Sequence, residues 1–281
     1  MMVSASPTSV PQWRPAVLWW LPRGIIFGLM AFFIFGPIAN MLLWTVAEKW
    51  YFPHNLPLQY GFSYWTRVFA PRGGAVESLT NSLIVALLTV VVSLLLAIPA
   101  GYALARVKLP LRGLILLAFL IPQAFPNLTV YVNVARIFYE IRLNGTIPGV
   151  VLVHVSHGLV YAVWIATAAF SAVDQELEQA ARSLGAGALR AFLDVTLPLA
   201  APGLMASAIF VFLESLDEFT GSYFVGAPDV NMLPLLLYTA GAGGNYQIAS
   251  ITALLLLVPS IAFMLIVERF LKADVLSRVG H

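Results

Sequence analysis

The sequence predicts an all-α integral membrane protein with six transmembrane helices, and three observations carry that fold class. Of its 281 residues, 60% are hydrophobic and only 10% are charged, where soluble domains hold about 45–50% and about 25%. Mean hydropathy is +0.88. Six charge-free stretches of 19 to 38 residues follow one another along the chain, and a bilayer crossing needs about 20 apolar residues. The same figures exclude other classes. Disorder requires low hydrophobicity and high charge. A net charge of +2 is too small and too scattered for nucleic-acid binding. With no cysteine, the chain has no disulfide framework, no thiolate nucleophile and no thiolate metal site.

Residues 1–23 read as a cytoplasmic segment. They show no short apolar core followed by a small-residue cleavage site, so the first helix, near 24–47, is expected as an uncleaved anchor. Gly24-x-x-x-Gly28 within it permits close helix contact, although the pattern is common. Residues 48–78 form an external segment rich in aromatics (Trp50, Tyr51, Phe52, Tyr60, Tyr64, Trp65) with room for a short interfacial helix. Such side chains suit the membrane boundary, and they equally suit a docking surface for an external partner. The second helix is expected near 79–105 with Asn81 and Ser82 as caps, and the third near 112–136. Pro99, Pro122 and Pro126 should bend these two spans, because each removes a backbone donor. Bends of that kind are tolerated inside a bundle and shape cavities; Asn127 and Tyr131, just beyond them, are candidates to line one, with packing as the alternative.

The fourth helix, near 147–170, carries His154 and His157 one turn apart. No carboxylate or cysteine is spaced to complete a metal site with them, so they read as satisfied interhelical histidines. The fifth helix is expected near 200–225 and the sixth near 248–271, with the Gly241–Gly244 stretch as a loop or loop end and 272–281 as a tail. Ten of the fifteen lysines and arginines fall on the side that holds both termini, which the positive-inside rule makes the cytoplasm.

The connection between the fourth and fifth helices is more than a turn. Asp174 is a good N-cap, and the acids Glu176 and Glu178 crowd a first turn, where the helix dipole favours them. Leu177, Ala180, Ala181 and Leu184 share one face at helical spacing. Gly185 can take the left-handed conformation that ends a helix. A second short amphipathic piece is expected from Ala186 to Leu197, before Pro198.

This segment resembles the signature of permease subunits in binding-protein-dependent ABC importers: Glu-Ala-Ala, three residues, Gly, nine residues, Ile, one residue, Leu-Pro. The chain has Ala180-Ala181, then Gly185, then Val195, Thr196 and Leu197-Pro198 at the same spacings. Gln179 stands at the glutamate position, with Glu178 one residue earlier and Glu176 three earlier, and Val195 replaces isoleucine. The resemblance covers roughly 79–271 as the core permease region. It implies that Glu178, Gln179, Ala180, Ala181, Gly185, Val195, Leu197 and Pro198 form a cytoplasmic coupling helix and its continuation, docked on a cytosolic ABC ATPase dimer. It further implies a second permease subunit or a copy of this chain, an external solute-binding protein, and a place in a bacterial inner membrane. There is no G-x-x-x-x-G-K-[ST] motif, so no loop to cradle phosphates. The chain is therefore expected to bind no cofactor and catalyse nothing alone, with ATP and Mg²⁺ used by the partner ATPase.

Intramembrane charges are expensive and mark function by default. Glu214, Asp217 and Glu218 lie at spacings that place three carboxylates on one helix face. A cationic solute would offset their repulsion, and Ser215-Leu216-Asp217-Glu218-Phe219 resembles the Ser-Leu-Asp-Asp/Glu-Phe stretch of the spermidine/putrescine-type permeases. That likeness implies a polyamine or related small amine as solute, with a sugar or an anion as the alternative. A structural reading stays open beside it: the acids sit in the outer headgroup region, pair with Arg136 or Arg142, or contact a second permease. A self-contained secondary transporter or channel would need paired intramembrane charges or half-helix repeats. A membrane enzyme would need a nucleophile–base set or a metal pattern. None of these is evident in the sequence.

Overall fold

In hydrocarbon, every backbone N–H and C=O must be bonded inside the chain, so charge-poor stretches cross as helices. The computed structural model describes residues 17–279, with side chains described for 23–269; residues 1–16 of the expected N-terminal segment and residues 280–281 of the expected tail lie outside the described residues. In chain order the elements are α1 (Val17–Thr45), β1 (Ala47–Lys49), β2 (Gln59–Tyr60), α2 (Ser63–Phe69), α3 (Ala75–Arg106), α4 (Arg112–Ala124) and α5 (Asn127–Glu140). There follow α6 (Ile147–Ala172), α7 (Gln175–Ser183), α8 (Ala188–Ala191), a π-helical turn (Phe192–Thr196), α9 (Leu197–Asp217), a second π-helical turn (Ser222–Gly226), α10 (Leu233–Ala242) and α11 (Tyr246–Val279).

Among the described residues, five helical stretches are long and apolar enough to cross a membrane, at Arg23–Thr45, Ala75–Arg106, Ile147–Ala172, Ala188–Asp217 and Tyr246–Arg269. A sixth exists if α4 and α5 count as one broken span. The third expected span is therefore not a kinked rod: it folds through 90° between Ala124 and Asn127. The reason is Phe125-Pro126, where the proline holds its predecessor in an extended conformation, φ −96° and ψ 148°.

The core lies where α3, α6 and α9 meet. Lipid tails are as apolar as leucine, so helices in a bilayer associate through close packing at small residues. Gly101 provides such a contact: a β-carbon there would stand 2.8 Å from the Ala166 β-carbon and 2.9 Å from the Thr167 nitrogen. Phe170, Phe212 and Leu216 fill the centre, with Phe212 stacked on Phe263 of α11 at 3.9 Å. A second cluster, including Tyr131, Val150, Val153, Val225 and Met232, ties α5 to α6 and the second π turn. By contrast α1 packs on α11 and leaves its phenylalanines outward, Phe33 at 72% exposure.

Several expectations need correction. The fifth span ends at Asp217 and not near 225, because Glu218 turns its side chain to accept the Gly221 N–H at 2.7 Å and so starts a new turn. Residues 188–196 form no separate amphipathic piece but run unbroken into α9. Asn81 and Ser82 do not cap the second span, which begins at Ala75 behind Gly74 at φ +73°. Ser82 Oγ instead accepts the Leu233 N–H at 2.9 Å, and Asn81 donates to the Asn231 carbonyl at 3.0 Å. They fasten the start of α10, a ten-residue apolar helix too short to span, which lies within the stretch expected to hold only a glycine-rich loop end before the last span. The backbone over most of the expected tail is the last part of α11.

The aromatic external segment is partly folded. Antiparallel β1 and β2 pair Ala47 with Tyr60, and α2 is the expected short helix. Trp65 donates to the Thr45 carbonyl at 2.8 Å, and Trp44 stacks on Trp50 at 4.2 Å beside Tyr246.

Candidate functional site

Two places combine polar chemistry with a break in helical continuity. The first is the lobe around α7. Asp174 caps it, its Oδ1 accepting the Glu176 N–H at 2.9 Å. At the other end Gly185 sits at φ +93°. Its N–H reaches the Arg182 carbonyl at 3.0 Å and the Ala186 N–H reaches the Ala181 carbonyl at 3.1 Å. That pair of bonds is the Schellman closure, which a left-handed residue makes possible. Gln179, Ala180 and Gly185 are exposed, Ala181 is half-buried, and Leu177 and Leu184 show 49% and 90% of their surface. An apolar face on a short capped helix is thus left uncovered in the single chain.

Glu178 is turned the other way. It is buried and accepts from the Tyr102 hydroxyl at 2.7 Å and the Thr196 hydroxyl at 2.9 Å, with Arg106 Nε at 4.0 Å. Arg106 also donates to the Val173 carbonyl at 2.9 Å. Glu178 therefore fastens α7 to the end of α3 and the first π turn and is withdrawn from the surface that Gln179 and Ala180 share. Its neighbour Glu176 remains exposed. Val195, Leu197 and Pro198 lie at the junction of the π turn and α9, so the motif's second half belongs to the membrane helix itself. Tyr102 and Thr196 carry no sequence signal for this role, being 76 and 18 residues from Glu178.

The second place is the end of α9. Ser215 and Ser222 hold the two nitrogens of the buried His154, at 2.8 Å from Nδ1 and 2.9 Å from Nε2. Ser222 Oγ donates to the Glu218 carbonyl at 2.9 Å, so it accepts from Nε2–H, and Nδ1 accepts from Ser215. His154 is the satisfied histidine the sequence led us to expect, and its ring bridges α6 to both sides of the break. His157 is different. Its Nε2 stands 3.1 Å from Glu214 Oε1, and ligand atoms of His157, Glu214 and Glu218 all lie within 4.8 Å of one another. The carboxylates that the fourth helix lacks come from the end of the fifth and the residue just beyond it, which spacing along one helix cannot reveal.

Of the other candidate path residues, Tyr131 comes to this place and Asn127 does not. Tyr131 and Glu218 meet at Gly221: a β-carbon there would stand 3.5 Å from both Tyr131 Cζ and Glu218 Oε1. Asn127 is exposed at the start of α5. Asp217 also parts from its neighbours, being exposed beside Leu237, Ala253 and Ser260 along a cavity of about 320 Å³. Glu214 and Asp217 stay one turn apart within α9, Glu214 at His157 and Asp217 at the cavity, while Glu218 lies just past the helix end. Among the described residues, neither Arg136 nor Arg142 forms an ion pair with them.

Residues 97–275 match the family model described as the binding-protein-dependent transport system inner membrane component. The trehalose transport system permease protein SugB of Mycobacterium tuberculosis (strain CDC 1551 / Oshkosh) is 30% identical over 79% of this chain and 82% of its own length. The molybdate/tungstate transport system permease protein WtpB of Pyrococcus abyssi (strain GE5 / Orsay) is 32% identical over 51% and 57%. A solved bacterial alginate ABC transporter, in complex with an alginate pentasaccharide-bound periplasmic protein, shares the fold with a TM-score of 0.65 at 13% identity, covering 92% of this chain and 96% of that one. This chain belongs to the family of inner membrane components of binding-protein-dependent transport systems, the permease subunits of ABC importers.

Proposed function

We propose that the chain carries a small saccharide from an extracytoplasmic binding protein to the cytoplasm, driven by a separate ATPase dimer that hydrolyses Mg²⁺-bound ATP. The uncovered apolar face of α7, closed at Gly185 and anchored through Glu178, carries this reading. A lever that passes motion to a membrane bundle needs a stiff helix with a surface free for a partner and a firm joint behind it, and α7 has both. Gln179, Ala180, Ala181 and Leu184 form the ATPase-facing surface, and the motion enters α9 directly through Val195, Leu197 and Pro198. Both termini are cytoplasmic in this reading, and a second permease subunit, identical or related, completes the path. The saccharide assignment draws on the trehalose permease and the alginate transporter among its relatives.

A second reading, transport of a polyamine or another small amine, draws on the half-buried Glu214 and the buried Glu218 beside Tyr131. One experiment separates the two. The complex that co-purifies with this chain is reconstituted with its binding protein, and ATP hydrolysis is followed against disaccharides, polyamines and oxyanions. Stimulation by disaccharides alone is the expected result. Stimulation by spermidine or putrescine selects the amine reading, and stimulation by molybdate removes both.

A further inference from the structure

The geometry points to a divalent transition-metal site formed by His157, Glu214 and Glu218, with the Tyr131 hydroxyl as a fourth neighbour. Four observations converge on it. The three ligand atoms already lie within 4.8 Å of one another, and His157 and Glu214 are 3.1 Å apart. Metal bonds of about 2.0–2.2 Å place tetrahedral ligands roughly 3.3 Å apart, so modest side-chain movement closes the set. The Tyr131 hydroxyl is buried beside Glu218 without a partner in hydrogen-bonding geometry, and the residue is 97% buried (3% exposed). A buried hydroxyl normally requires a partner, and the group that can serve is Glu218, itself one of the three ligands.

Charge is the third observation. Two carboxylates face one imidazole, and among the described residues no lysine or arginine forms an ion pair with either. Inside a membrane such an excess is offset by a bound cation or by protonation of a carboxyl. The site also lies at the carboxyl end of α9, where unbonded carbonyls add partial negative charge. Fourth, the donors are one imidazole nitrogen and carboxylate oxygens. That mixture suits first-row divalent ions such as Mn²⁺, Co²⁺ or Zn²⁺, whereas Ca²⁺ and Mg²⁺ take oxygen alone. The Gly221 N–H holds one Glu218 oxygen at 2.7 Å and so fixes the carboxylate at the break. A bound metal would tie α6 to both sides of the break after Asp217.

The test reads metal directly and needs no transport, so its outcome is separate from that of the solute assignment. The full chain in nanodiscs, stripped with a chelator, is titrated with Co²⁺ as the probe and then with competing Zn²⁺. One Co²⁺ per chain is expected, with the visible absorption of a low-symmetry nitrogen–oxygen site. Glu214→Gln and His157→Gln should each weaken binding by roughly 100-fold, and Tyr131→Phe by about 10-fold. Glu140→Gln, at an exposed acid on α5, should change nothing. Melting of the metal-free variants checks that each is folded, and Tyr131→Phe, which removes one hydroxyl only, carries the test if the others are unstable. Absence of Co²⁺ binding by the unaltered chain overturns the site, as does binding that these three substitutions leave unchanged.

Discussion

The helical path is interrupted after Ser183 and again after Asp217, and the two interruptions are held in opposite ways. At the first, everything needed is local: one residue at φ +93°, two backbone hydrogen bonds and a cap nine residues upstream of the closing turn. At the second, the backbone is held by side chains from elsewhere, with His154 of α6 joined to Ser215 on one side and Ser222 on the other. Water can satisfy any group the first break leaves free, whereas the second lies where water is scarce. A local closure concentrates its dependence on one residue, and a network spreads it over several.

Substitutions at five positions probe that contrast. The largest effect is expected at the joint behind the lobe: Glu178→Ala leaves the buried Arg106 charge without its carboxylate, with only the Val173 carbonyl, and removes the partner of Tyr102 and Thr196, a loss of about 3 kcal/mol. Thermal unfolding in nanodiscs measures it, and Glu178→Gln, which keeps both hydroxyl contacts, should retain most of the stability. Next comes the network. Ser215→Ala and Ser222→Ala should each cost about 1 kcal/mol, while the pair should cost more than their sum because the imidazole then has no partner at all. Strict additivity would remove His154 as the bridge.

Gly185→Val should destabilise by about 2 kcal/mol, since a left-handed backbone resists a β-carbon. The site is otherwise open, with no atom within 4 Å of a β-carbon there. Gly185→Asn should therefore recover much of the loss, and uptake should follow the same order. Equal behaviour of valine and asparagine would show that bulk against a partner, and not backbone strain, decides. The smallest effect is expected for Asp174→Ala, about 0.5 kcal/mol from a lost cap at an exposed residue, visible as faster amide exchange confined to the first turn of α7.

The same contrast explains what could be read from the chain alone. Composition and charge-free length give the spans, because a bilayer imposes the same demand on each of them. Asp174, the α7 helix and Gly185 were all legible, since caps and left-handed closures depend on neighbours within a few residues. The 90° fold between α4 and α5 was half legible: Pro122 and Pro126 announce a bend, but its size depends on what packs around Phe125. The partners of Glu178 and His157 were hidden, as were the roles of Asn81 and Ser82, 151 residues from Leu233 in the case of Ser82. Helical spacing groups Glu218 with Glu214 and Asp217 by letting α9 run on past Asp217. The Glu218 side chain, by bonding to Gly221, ends that periodicity.

The central claim is that the uncovered face of α7 is where the ATPase engages. The chain has no cysteine, so Leu184→Cys, at a residue 90% exposed, gives a single reactive thiol without further changes. A maleimide–amine cross-linker applied to the co-purified complex should join this chain to the ATPase subunit and should arrest solute-stimulated hydrolysis. The same thiol placed at Leu95, on the lipid-facing middle of α3 at 67% exposure, should do neither. A Leu184→Cys complex that labels fully with a simple maleimide, forms no cross-link and keeps its stimulated hydrolysis would contradict the claim.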